Sequence, residues 1–265
     1  MLHNGPILKM RTELKNPIQY ELPIGDNLAR MNQFIGKYIR FKWDNEILCI
    51  SCGRKINKSF AQGHCYPCFI NSPETSECIL RPELCEAQIG NARDMEWAET
   101  HCLQPHFVYL AVSSGIKVGV TRGTQIPTRW IDQGASFAIK LAETPNRYIA
   151  GLIELALKEF ISDRTAWQRM LKNQILEKFD LIEKINELIS KLNPNLQKFE
   201  SEDEEITELT YPVLEFPEKV KSVGFDKFNE IEGRVMGIKG QYLIFDDNMV
   251  LNIRKHSGYV LEVEF

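Results

Sequence analysis

The sequence predicts an α+β protein organised by bound metal, and three observations predict it. Four cysteines form two Cys-x-x-Cys pairs, Cys49–Cys52 and Cys65–Cys68, with twelve residues between the pairs. A strand–turn–strand signal over 107–120 precedes stretches of helical patterning. From about residue 209 the chain turns to short β-rich runs punctuated by Gly233, Gly237, Gly240 and Gly258.

The elements follow in chain order. Residues 1–48 alternate short apolar and polar runs, and Ile18–Leu22 and Tyr38–Trp43 read as strands of an N-terminal β element. Residues 49–104 hold every cysteine of the chain. Two Cys-x-x-Cys turns at this spacing wrap four thiolates around one tetrahedral zinc ion, with Gly53 and Gly63 easing the backbone beside them. A pair of disulfides or a redox dithiol is the competing reading. The redox reading lacks its βαβ context, and seven cysteines without an apolar leader in 1–20 point to reduced thiols in the cytoplasm.

Residues 105–165 read as a hairpin, Phe107–Val112 and Ile116–Val120 around Ser113-Ser114-Gly115, followed by two helices. Pro127 opens the first helix, which runs to about Asp132 with Gly134 past its end. Thr144-Pro145 opens the second, to about Ile161. Over 166–198 apolar residues recur at three- and four-residue steps, from Trp167 and Met170 through Ile175 and Ile182 to Leu192. This predicts one long amphipathic helix with Asp163 as a candidate cap. Six acids within Glu200–Glu208 make 199–208 an acidic linker, and 209–265 a small sheet or barrel, or a sheet added to the N-terminal strands.

A composition of 43% apolar and 26% charged residues excludes a disordered chain, and no apolar run reaches the length of a membrane span. The net charge of −4 is set by the acidic run, without which the remainder carries +2, so charge does not choose the partner.

Three cysteines remain, Cys78, Cys85 and Cys102. With one imidazole they complete a second zinc tetrahedron, His106 being preferred and His101 the alternative. The bland reading makes them small buried hydrophobes. Glu154 is the one polar residue in Ile149–Leu157. A buried carboxylate needs an arginine, a cation or water to meet it, which marks Glu154 as a candidate site residue. Tyr109, Lys117, Arg122 and Arg129 lie near it in sequence, and a phenol, cations and a carboxylate are the parts that phosphodiester cleavage uses. In the first helix, Trp130 reads as a core anchor before a base-stacking ring, and Gln133 as the alternative base contact.

Phe107-Val108-Tyr109, seven residues, then Lys117-Val118-Gly119 resembles the paired-strand signature of the GIY-YIG nuclease superfamily. Arg129 stands where that superfamily has its helix arginine, and Glu154 where it has its metal-binding glutamate. The resemblance covers about 105–165 and implies that Tyr109 and Glu154 flank a scissile phosphate, with Mg²⁺ or Mn²⁺ on Glu154. Lys117 replaces the second tyrosine of the signature, as in similar divergent branches. The whole chain also resembles an uncharacterised bacterial family that carries these cysteines. The expectation is therefore a zinc-containing protein that cuts nucleic acid, DNA or RNA, at Tyr109, Lys117, Arg129 and Glu154. Its rival is a zinc-held module that binds nucleic acid or a protein without catalysis.

Overall fold

A computed structural model of the chain describes residues 1–176 and 178–265. It is a mixed α+β structure with three sheets. The largest has eight strands and joins the two ends of the sequence. Leu2–Pro6 pairs antiparallel with Tyr259–Glu264, which pairs with Tyr38–Leu48, which in turn pairs with Glu230–Lys239. Tyr242–Phe245, Met249–Asn252 and Lys221–Val223 continue the sheet outward, and Lys55–Ile56 pairs with Tyr38–Leu48. Of the arrangements open for 209–265, the chain adopts the sheet added to N-terminal strands. A small three-stranded sheet, Arg11–Glu13, Gln19–Ile24 and Asn27–Arg30, packs with it around one core that includes Tyr20, Phe41, Phe225 and Phe245.

The four-stranded sheet carries the predicted hairpin, His106–Val112 and Ile116–Arg122, joined around Ser113–Gly115. The period-two pleat splits its residues cleanly. Val108, Leu110 and Val112 face a core shared with the helices Arg147–Leu157 and Leu181–Ile189. Tyr109 and Ala111 face the opposite core, with Trp130 and Ile131 of the helix Thr128–Asp132. Trp130 is thus the anchor of that helix. A strand that the sequence did not announce, Phe137–Thr144, lies between the two predicted helices and pairs with His106–Val112. Its residues Ala138, Ile139, Leu141 and Ala142 are buried on both faces and show little alternation, so the period-two signal is blunted.

Two expectations need correction. The long helix does not form: Trp167–Leu171 and Leu181–Ile189 are separate helices. Asn173 takes φ +54°, which ends the first, and the Asp180 carboxylate accepts the Glu183 N–H at 2.9 Å, which starts the second. The apolar stripe serves two cores, Met170 and Leu171 against Ile244 and Val250, and Leu181 to Leu192 against the four-stranded sheet. The acidic stretch is no free linker either. Its backbone follows Phe137–Thr144, with the Ser201 N–H on Leu141 O and Thr207–Glu208 paired to 137–138, while Asp203 meets Lys140 at 2.6 Å. The acids point outward, so composition reads as solvation while the main chain is laddered. Among the described residues no helix is long and apolar enough to cross a membrane.

Candidate metal centres and an arginine-lined cleft

Cys49 follows directly on the strand Tyr38–Leu48, and the Leu48 N–H bonds Gly258 O at 2.7 Å, so the first metal turn is fastened to the large sheet. The sulfurs of Cys49, Cys52, Cys65 and Cys68 lie within 4.8 Å of one another. A tetrahedron with zinc–sulfur bonds of about 2.3 Å has edges of about 3.8 Å. Cys52 Sγ and Cys65 Sγ stand 3.8 Å apart. Backbone amides already point at the sulfurs as they do at thiolates: Cys65 N–H donates to Cys49 Sγ at 3.2 Å and Cys68 N–H to Cys65 Sγ at 3.4 Å. The Arg54 backbone N–H pulls the Cys52 thiol down to about 6. These four residues fit zinc. His64, beside them in sequence, instead faces Glu74 at 3.6 Å.

Cys78, Cys85 and Cys102 form a second cluster with sulfurs within 4.8 Å, and three thiols so placed can also hold zinc. Hydrogen bonds from Cys102 and Cys78 hold Cys85 well below the usual thiol range. Neither imidazole joins the three sulfurs. His101 stacks on Trp97 with ring centroids 4.0 Å apart and bonds Trp97 O through Nδ1. His106 is buried, and burial lowers it to about 4, so it is neutral at physiological pH. Its Nδ1 lies 2.7 Å from Gln104 O, which can only accept, so Nδ1 carries the proton and Nε2 offers a lone pair. That Nε2 is buried without a partner.

The second cluster docks on the helix Arg147–Leu157. Asn146 caps that helix, its side chain accepting the Ile149 N–H at 3.0 Å. The Arg147 guanidinium donates to Cys78 O at 3.2 Å and His101 O at 3.1 Å, and its backbone N–H to Cys102 O. One turn on, Gly151 meets the backbone of Pro82–Glu83 so closely that a Cβ would stand 2.2 Å from Glu83 N. The next turn places Glu154 at the edge strand Ile116–Arg122.

A cleft of about 580 Å³ opens there, between this strand, the cysteine-rich segment and the helix bearing Arg129. Arg129 and Glu154 line it, with Gly119, Gln133, Lys158 and Asp163. Tyr109 and Lys117 lie beneath its surface. The fully buried Tyr109 donates through its hydroxyl to Gln133 Oε1 at 2.8 Å, and burial raises its pKa against the pull of Arg129. Lys117 donates to Thr165 Oγ1 at 2.6 Å, and burial, then Arg129, lowers its amine to about 7. Glu154 is met by a cation: the Lys158 ammonium stands 3.2 Å from Glu154 and 3.3 Å from Asp163. Burial nonetheless raises the Glu154 pKa. The four predicted residues therefore share one electrostatic neighbourhood on two levels, two in the cleft wall and two behind it.

A model of the family "Protein of unknown function (DUF2797)" matches residues 36–261. The chain belongs to the DUF2797 family. The matched span holds both thiol clusters and Tyr109, Lys117, Arg129 and Glu154. No curated protein and no solved structure matches this DUF2797 chain.

Arg147, Lys158 and Arg254 belong to the cleft but were missed in the sequence. Lys158 had a signal, four residues beyond Glu154 on one helix face. Arg254 had none, since the large sheet brings it in from far along the chain. Gly119 is a close-packed point of this DUF2797 site. A Cβ there would stand 2.6 Å from the Tyr109 hydroxyl, and the ring is fully buried. Gly119→Ala is expected to cost about 1–3 kcal/mol by overpacking. Urea denaturation checks this, and an unchanged midpoint would show that the ring can move aside.

Proposed function

We propose that this protein is a zinc-containing nucleic-acid-processing protein whose cleft binds a phosphodiester and cleaves it with a divalent cation at Glu154. The observation that carries the reading is a set of arginines without ion-pair partners. Arg122, Arg129 and Arg254 all line the cleft, and among the described residues none has a carboxylate within 4.0 Å. Partly buried guanidinium groups left unpaired call for a bound anion, and forked donors suit phosphate oxygens. In this reading Arg129 steadies the charge that develops on the phosphate. Glu154 would hold Mg²⁺ or Mn²⁺, which supplies Lewis-acid polarisation of the phosphate when bound. Tyr109 and Lys117 act from behind, Tyr109 by fixing Gln133 at the cleft wall and Lys117 by its charge. The Cys49–Cys68 tetrad holds a structural zinc, and the Cys78, Cys85 and Cys102 cluster a second zinc that shapes the cleft wall. His106 Nε2 is the unpartnered donor closest in character to a fourth ligand.

A second reading, a binding module without catalysis, is favoured by Lys158. Its ammonium already sits between Glu154 and Asp163, where a divalent cation would bind. A cleavage assay on single- and double-stranded DNA and RNA with Mg²⁺ or Mn²⁺ separates the two. Glu154→Ala is expected to lower cleavage by at least about 100-fold while leaving fold and zinc content intact. Cleavage by neither protein, with salt-sensitive binding by both, gives the second reading.

A further inference from the structure

The cleft carries more than a phosphate site, and its wall suggests which form of nucleic acid enters. Its free cations stand at two stations. Arg129 and Arg254 feel one another's charge on the side of Lys9 and Asp132. Arg122 lies on the other side, beside Arg147, whose guanidinium is already engaged with Cys78 O and His101 O. On the cysteine-rich wall, the half-buried rings of Trp97 and His101 stack face to face at an interplanar angle of 13°, and both residues line the cleft. The His101 ring is held in place through Nδ1 by Trp97 O at 3.0 Å and Thr100 Oγ1 at 2.8 Å. The outer face of a fixed aromatic stack beside cationic groups is how proteins bind unpaired bases, because every base has a face to stack while a duplex keeps its faces covered.

We propose that the cleft takes a single-stranded segment, with one base laid against the Trp97–His101 pair, one phosphate at Arg129 and Arg254, and a neighbouring phosphate at Arg122. The proposal rests on the phosphodiester reading above and names its substrate class. It also gives the cysteine-rich wall a direct role in recognition, since the stacking pair flanks Cys102.

The test is fluorescence anisotropy with the zinc-loaded full chain and labelled twelve-residue oligonucleotides, single-stranded and blunt duplex, without added Mg²⁺ or Mn²⁺. Single strands are expected to bind about tenfold more tightly than duplex. His101→Ala and Arg122→Gln, each with unchanged zinc content, are each expected to weaken single-strand binding at least about fivefold and duplex binding little. If His101→Ala loses zinc, tryptophan emission decides instead: single strands quench the unmodified protein more than Trp97→Phe if Trp97 is covered, and equal quenching of the two overturns the proposal. Equal or tighter duplex binding overturns it, as does unaltered binding by both variants. Failure of every oligonucleotide to bind removes the phosphodiester reading too. Glu154-dependent cleavage of duplex without single-strand preference removes this proposal alone.

Discussion

Removing the metal from Cys49, Cys52, Cys65 and Cys68 is expected to unfold residues 49–71, detaching the short strand Lys55–Ile56 from Tyr38–Leu48, while leaving the rest of the large sheet folded. The segment has almost no core of its own: of its apolar side chains, Ile50, Tyr66 and Ile70 are exposed, and Phe60 stacks only on its neighbours Tyr66 and Phe69. Zinc binding in such small modules is worth about 10–16 kcal/mol. That is comparable with the whole stability of a domain, about 5–15 kcal/mol. The sheet, in contrast, rests on Phe41, Phe245, Leu261 and Val263, which are buried without reference to metal. Native mass spectrometry is expected to show two zinc ions per chain, and Cys65→Ser one. Hydrogen exchange of the chelated protein should reveal lost protection over 49–71 and retained protection over 38–48 and 259–264. Full protection after the metal has been stripped would show that the turns hold without it.

Replacing Lys117 by methionine is expected to stabilise the protein at neutral and acidic pH. The amine is buried, its one hydrogen-bond partner is Thr165, and its pKa falls from 10.5 to about 7. Between those values the unfolded chain binds the proton and the folded chain does not, so stability rises with pH across that window. Below about pH 7 the folded chain must carry the buried charge, and the full penalty applies. A shift of this size corresponds to on the order of 5 kcal/mol, less the lost hydrogen bond. Urea denaturation at pH 6, 8 and 10 checks both the sign and the window. Lys117→Met should exceed the unmodified protein most at pH 6 and least at pH 10. A gap that stays constant with pH would mean that packing, and not the charge, sets the difference.

Local signals in the sequence were the reliable ones. Both thiol clusters were legible because ligand spacing is a local property, and so was the hairpin, whose turn residues Ser113-Ser114-Gly115 sit where the chain reverses. The helix with Glu154 was legible because one carboxylate in an apolar run stands out, although its cap proved to be Asn146 and not Thr144. What failed was information held at a distance. Phe137–Thr144 is an interior strand, and its apolar residues, interrupted only by Lys140 before Glu143, do not alternate. The stripe from Trp167 to Leu192 has helical spacing because two short helices each obey it, and only Asn173 and Asp180 tell of the break. Arg254 could not be assigned to the cleft from sequence, since nothing local to it distinguishes a cleft arginine from a surface one. Burial depth was equally hidden: Tyr109 and Lys117 share the neighbourhood of Arg129 and Glu154, yet they sit a layer below the cleft surface.

The strand order of the large sheet also sets a timetable for folding. Tyr38–Leu48 is flanked by Tyr259–Glu264 and Glu230–Lys239, and Leu2–Pro6 ladders onto Tyr259–Glu264. A growing chain therefore exposes two early strands whose ladder partners are made last. Such long-range pairing is slow, and open strand edges invite pairing with other chains. The four-stranded unit and the cysteine turns lie between the early and late strands and use mainly their own neighbours, so they are free to form during the wait. Until the late strands are made, the strand Tyr38–Leu48 has as neighbours only the small sheet of residues 11–30 and, after Cys49, the metal module, whose Lys55–Ile56 pairs with it. During synthesis, before the last strand arrives, this protein is at its most vulnerable to misassembly.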